Sequence, residues 1–130
     1  MIKINRIDHI VLTVKDIQAT CDFYERILNM KVVTFNSDRK ALVFGNQKIN
    51  LHQQGNEIEP KANSATVGSA DMCLVTDTNL NEVYEFLKSR DVEILFDRIV
   101  ERTGALGKIY SVYLRDPDLN LIELSNYAED

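Results

Sequence analysis

Read by hydrophobic period, the chain spells one order of elements twice: β-α-β-β-β, a linker, and β-α-β-β-β again. A module of that size has a sheet face it cannot bury alone, so the duplication predicts two sheets that close against each other. In the first half, residues 7–14 are apolar and β-branched and read as a strand, and Asp16 stands where a helix N-cap would. Ile17, Cys21, Tyr24, Ile27 and Leu28 follow at helical spacing, predicting an amphipathic helix to about Asn29. Residues 31–35, 40–44 and 48–53 read as short strands, the last two joined by the hairpin Gly45-Asn46-Gln47-Lys48. The second half repeats this with a strand at 71–76 and a helix opened by Asn79 and Glu82 in capping-box spacing, with Leu80, Val83, Tyr84 and Leu87 as its stripe. Strands at 93–98 and 108–114 flank a flexible loop at 101–107, and a final strand closes the chain. The modules span about 5–54 and 68–127, with the aperiodic stretch 55–67 as linker.

That last strand carries a chemical burden. Pro117 and its flanking aspartates make residues 116–120 a tight turn; beyond it Leu121, Glu123 and Ser125 share one strand face, Ile122 and Leu124 the other. An ionised carboxylate taken out of water unpartnered is expensive, so Glu123 stands at a wet edge, pairs with a cation, or binds a metal. Parity also groups Ile7, His9, Val11 and Thr13. Aligning the halves by strand order sets His9 against Asp71 and Asn50 against Glu123, four polar side chains at equivalent positions on the face turned away from the helices. His52, two residues from Asn50, shares that face, while Arg102, Arg115, Tyr110 and Tyr113 are candidates to line or cover a pocket there.

Composition narrows the function classes. A length of 130 residues with 45% hydrophobic content suits one domain with a sizeable core. The net charge of −5, with lysines and arginines scattered along the chain, argues against nucleic acid, although some of those cations can steer a small anion. No charged-then-apolar leader and no bilayer-length apolar run is present, so the expectation is a soluble cytoplasmic protein with no membrane partner. Cys21 and Cys73, without CxxC spacing, read as buried reduced thiols.

The Asp8-His9-Ile10 first strand, the duplicated order, and the ending Asp116-Pro117-Asp118-Leu119-Asn120-Leu121-Ile122-Glu123-Leu124 resemble the vicinal oxygen chelate superfamily, the glyoxalase, bleomycin-resistance and extradiol-dioxygenase group. The resemblance covers nearly the whole chain. Arg39-Lys40-Ala41, Lys48-Ile49-Asn50-Leu51-His52, Glu59-Pro60-Lys61-Ala62 and Arg102-Thr103-Gly104-Ala105 bring it nearest to the glyoxalase-domain-containing proteins. It implies an α+β fold, two tandem βαβββ modules forming a cup-shaped curved mixed sheet with helices outside. It also implies a homodimer, and a divalent metal held by the first and last strands of each half. Carried over residue by residue, those positions are His9, Asn50, Asp71 and Glu123. His9, Asp71 and Glu123 are then the metal ligands, and Asn50 a hydrogen-bond donor to substrate or to a ligand's free oxygen. Glyoxalase I enzymes carry glutamate at the position of Asn50 and histidine at that of Asp71, so the chain departs from both the glyoxalase and the dioxygenase ligand sets. The turn glycine of the family is replaced by Leu119, which leaves Asn120 to take the left-handed backbone position.

One imidazole and carboxylates suit Mn, Fe, Ni, Co or Zn. The resemblance thus implies a metal-dependent lyase, isomerase or ring-cleavage dioxygenase acting on a small oxygen-rich substrate, in which Glu123 or His52 moves a proton. If His52 swings in, His9, His52 and Glu123 form a two-histidine, one-carboxylate set; otherwise His52 is a cavity-wall donor or proton carrier. The competing expectation is a non-catalytic small-molecule or drug-binding module. The absence of tryptophan to stack a flat drug, with His9 and Glu123 retained, favours the metal.

Overall fold

A computed structural model describes residues 1–129, and the chain divides between Gly68 and Ser69 into two compact units. The first unit holds β1 (His9–Val14), α1 (Ile17–Arg26), β2 (Lys31–Phe35), β3 (Arg39–Phe44) and β4 (Gln47–Gln53). Its sheet runs β1-β4-β3-β2, with β1 parallel to β4 and the other neighbours antiparallel. The second unit holds β5 (Asp71–Val75), α2 (Leu80–Ser89), β6 (Leu95–Gly104), β7 (Gly107–Arg115) and β8 (Leu121–Tyr127), in the matching order β5-β8-β7-β6 with β5 parallel to β8. The duplication read from the sequence is present strand for strand, as two four-stranded mixed sheets with one helix each. Residues 55–67 fall within the first unit.

Register extends the repeat to single residues. Asn50 pairs with Val11, two places after His9, and Glu123 pairs with Cys73, two places after Asp71. Three residues beyond Asn50, the Gln53 amide accepts from Ile17 N (3.2 Å) and donates to Lys15 O (2.6 Å). Three residues beyond Glu123, the Asn126 amide accepts from Leu80 N (2.8 Å) and donates to Thr76 O (2.8 Å) and Thr78 O (3.0 Å). Each last strand thus ends in an amide that satisfies an orphan N–H at the start of its own unit's helix. Asp16 adds the expected cap on Ala19 N (3.2 Å), and Asn79 caps Asn81 N (2.9 Å).

The sheet face toward each helix is aliphatic and buried: Leu12, Val14, Leu42, Ile49 and Leu51 in the first unit, Val112, Leu114, Ile122 and Leu124 in the second. At about 1.5–3 kcal/mol per buried aliphatic side chain, these faces supply most of each unit's cohesion. The opposite face is where polar side chains collect, because parity puts Lys48, Asn50 and His52, and Glu123 and Ser125, there.

Four expectations need correction. The stretch 101–107 is no flexible loop: β6 continues to Gly104 and pairs through to Gly107, a two-residue hairpin whose polar composition masks the strand. The left-handed residue before β8 is Leu119 itself, at φ 68°. Asn120 is instead buried, donating from Nδ2 to Asp116 Oδ2 (2.8 Å) and accepting from Ala70 N (2.8 Å), so it knits the turn to the start of β5. Cys73 is exposed because β5 is an edge strand, while Cys21 is buried, and both thiols are free. The first strand begins at His9, with Ile7 outside it. β6 also carries a bulge between Leu95 and Val100, where Phe96 and Asp97 both have positive φ; Tyr84 Oη donates to Asp97 Oδ1 (3.1 Å) and Lys88 pairs with the same carboxylate, so α2 fastens the bulge. Among the described residues no helix is long and apolar enough to cross a membrane.

Candidate functional site

On the polar face of the first unit, β1 presents His9, Val11 and Thr13 beside Lys48, Asn50 and His52 of β4. His9 is half exposed and its Nδ1 sits 2.8 Å from Asp8 Oδ2. That hydrogen bond holds the Asp8 carboxyl below its usual range, with Arg6 and Lys48 adding to it. Asn50 and His52 are both buried at 5% exposure. Burial, and next the Arg39 guanidinium, push His52 below its ordinary value, so the ring is neutral and its Nε2 accepts from Arg39 Nη2 (3.4 Å). Arg39 Cζ lies 4.8 Å from the Phe35 ring centroid and Lys48 Nζ 4.1 Å from the same centroid. Two buried polar atoms on this face, Arg39 Nε and Asn50 Oδ1, have no hydrogen-bond partner.

The polar face of the second unit holds a continuous chain of hydrogen bonds. Ser111 Oγ donates to Glu123 Oε2 at 2.6 Å, which leaves its lone pairs to accept from Ser125 Oγ at 2.7 Å; Cys73 Sγ lies 3.2 Å from Ser125 Oγ. With one proton per group, the direction Cys73→Ser125→Ser111→Glu123 satisfies every member. Tyr113 stands opposite Glu123 in register, and Arg102 Nε donates to the Tyr113 hydroxyl at 3.1 Å. Burial raises the Tyr113 hydroxyl above its ordinary value against the pull of Arg102, and the Glu123 charge adds to the rise. Packing around its sulfur likewise raises Cys73, opposed by the Ser125 bond. Of the three alternatives open for Glu123, direct pairing with a cation is not what this bond provides: its partner is the Ser111 hydroxyl.

The sequence-derived candidates distribute unevenly over these faces. Asn50 and His52 stand together in the first unit, with His9 two residues from Val11, the register partner of Asn50. Glu123, Tyr113 and Arg102 stand together in the second, with Asp71 exposed on the edge strand beside them. Tyr110 points to the other side of β7, in register with Glu101 and Asn126, and does not share the face of Tyr113. Arg115 donates to Leu119 O (3.1 Å) and braces the turn. Among the described residues no group of three histidine, cysteine, aspartate or glutamate side chains able to hold a metal ion forms.

His9 and Glu123 nonetheless each carry what a metal ligand carries behind it. The Asp8 carboxylate on Nδ1 leaves His9 Nε2 free to coordinate, and the Ser111 hydroxyl orients the Glu123 carboxylate. Each donor, taken within its own unit, is of a type and backing that suits a divalent ion. Sequence reasoning missed Ser111, Ser125 and Asp8 as site members. Parity alone places Ser125 beside Glu123, whereas Ser111 enters only through the β7–β8 register.

Comparison with known proteins gives a common answer. The model of the Glyoxalase/Bleomycin resistance protein/Dioxygenase superfamily matches residues 6–124. The virulence protein STM3117 of Salmonella typhimurium is 56% identical over 125 residues, covering 96% of this chain and 86% of that one. Its crystal structure superimposes with a TM-score of 0.96 and covers 98% of this chain and all of that one. The glyoxalase domain-containing protein RDO1 of Mycosarcoma maydis is 47% identical over 128 residues, 98% of this chain and 72% of that one. An integron cassette protein of V. Cholerae is 54% identical in structure-based comparison, with a TM-score of 0.95 over 98% of this chain and 99% of that one.

Proposed function

The chain belongs to the glyoxalase/bleomycin resistance protein/dioxygenase superfamily, and from that premise we propose that it is a divalent-metal-dependent enzyme, a lyase, isomerase or ring-cleavage dioxygenase, acting on a small oxygen-rich molecule. His9, Asp71 and Glu123 are the ligands in this reading, for Mn, Fe, Ni, Co or Zn. The observation that supports it most is the backing of the two donors, Asp8 on His9 at 2.8 Å and Ser111 on Glu123 at 2.6 Å. A bound ion would supply Lewis acidity to two neighbouring oxygens of the substrate. The chain's own groups would do the rest. Neutral His52 has a lone pair at Nε2 to take a proton once Arg39 is drawn to another acceptor. Glu123, fed by the serine chain, holds negative charge without a cationic partner.

A homodimer and a cytoplasmic location belong to the same proposal. β1 and β5 are edge strands, and Ile10, Val11 and Val75 on them stand in water, apolar surface that a second copy would cover. Elemental analysis of protein purified without chelator, wild type against Glu123→Gln, tests the metal. Near-stoichiometric metal in the wild type and its loss in a folded variant is the expected result. Full occupancy in the variant ends the ligand assignment, and metal-free wild type leaves the non-catalytic binding module in its place.

A further inference from the structure

We propose that the polar face of the first unit's sheet is a binding site for a small oxyanion carrying an adjacent hydroxyl, a hydroxycarboxylate-like group held between Arg39 and Asn50. The inference rests on the reading of this face as a substrate wall and names the chemistry the wall takes. Buried polar atoms almost always have partners, so a donor and an acceptor orphaned on one face ask for an explanation. Arg39 Nε is a donor and Asn50 Oδ1 an acceptor. The sequence points to Asn50 as a donor toward substrate, yet the atom left unmatched is its carbonyl oxygen, which asks the ligand for an O–H.

Their placement suits one small ligand. Asn50 pairs with Ala41 and Lys40 with Leu51, so Arg39 and Asn50 are diagonal neighbours on adjacent strands, about 7–8 Å apart at the backbone. Ala41, the register partner of Asn50, is the smallest side chain of this group. Lys48 on β4 reaches the Phe35 ring on β2, carrying its ammonium across β3 and over this position. Two cations therefore converge on Phe35, and among the described residues neither makes a salt bridge. The acidic groups nearby are engaged elsewhere: Asp8 with His9 and Arg6, Glu57 with Gly55 N (2.7 Å) and Lys61 (3.6 Å). A water molecule would satisfy the two orphans, whereas an oxyanion would also meet the Arg39 guanidinium, which makes no salt bridge among the described residues.

The test uses glycolate and acetate, which share the carboxylate and differ in the hydroxyl, titrated by NMR into the full chain after chelator treatment, so that a metal cannot be the receptor. Glycolate is expected to shift the Asn50 side-chain amide and the His52 ring, and to bind about fivefold more tightly than acetate, the size of one buried hydrogen bond. Asn50→Ala should abolish that preference while still binding both, and Arg39→Gln should weaken both by about tenfold. Lys48→Ala, at a partly exposed position, gives a second probe of the charge if Arg39→Gln fails to fold. Equal affinity for the two anions in the wild type, or titration indifferent to both cation variants, overturns the proposal. Because the protein is metal-free here, failure of this site leaves the metal reading standing, and loss of metal in Glu123→Gln says nothing about this one.

Discussion

Asn120→Ala should be among the most damaging single truncations in the second unit. The side chain is 1% exposed and links two groups, Asp116 Oδ2, in a carboxylate 3% exposed, and Ala70 N, just before β5. Losing a hydrogen bond to a charged acceptor costs about 1.5–3 kcal/mol, and orphaning the Ala70 amide adds about 1 kcal/mol or more, giving about 3 kcal/mol in all. The backbone bond from Asn120 N to Asp116 Oδ1 (3.0 Å) survives the substitution, so the turn persists and the loss is confined to the side chain. For a chain of this length that is about 10 °C in Tm. Urea unfolding of wild type and variant with unchanged m-value measures it directly. Asn120→Asp separates charge from shape: it sets a second carboxylate against Asp116 Oδ2, so its folded-state pKa rises above the unfolded one. The variant should come nearest to wild type at acid pH and fall behind as pH rises through that raised value. A loss below about 1 kcal/mol for Asn120→Ala, or an Asn120→Asp deficit that does not depend on pH, refutes the argument that this amide holds β8 beside β5.

Other expected outcomes are as direct. Ser111→Ala and Asp8→Ala should each weaken bound metal about 10–100-fold at equal fold content, measured by competition with a chelating dye, if Glu123 and His9 are ligands. His52 is held neutral by burial, so the stability it contributes is present above the unfolded value of about 6.5 and lost as pH falls below it; His52→Phe should flatten the slope of urea midpoint against pH between about 7 and 5. Leu119→Gly should be at least as stable as Leu119→Ala, reversing the usual glycine penalty of about 0.5–1 kcal/mol, because φ at this exposed position is 68°.

What the amino-acid sequence determined by itself was the repeat and its parity. Hydrophobic period and capping residues are local properties, so Asp16, Asn79 and the alternation around Asn50 and Glu123 announced two equal modules and the polar face of each. The equivalence of His9 in one unit with Asp71 in the other, and of Asn50 with Glu123, followed from counting along strands, and the register within each unit matches it. Tertiary structure decided the rest. Which strand lies beside which is a matter of long-range pairing, and only that brought Ser111 and Tyr113 to Glu123 and set Arg39 beside His52. Ser111 cannot be told from a surface serine until a neighbouring strand supplies the carboxylate it serves. Leu119 shows the limit from the other side: glycine preference is a statement about backbone cost, about 1–2 kcal/mol, and the buried Asp116–Asn120 network is strong enough to impose a left-handed conformation on a residue that resists it.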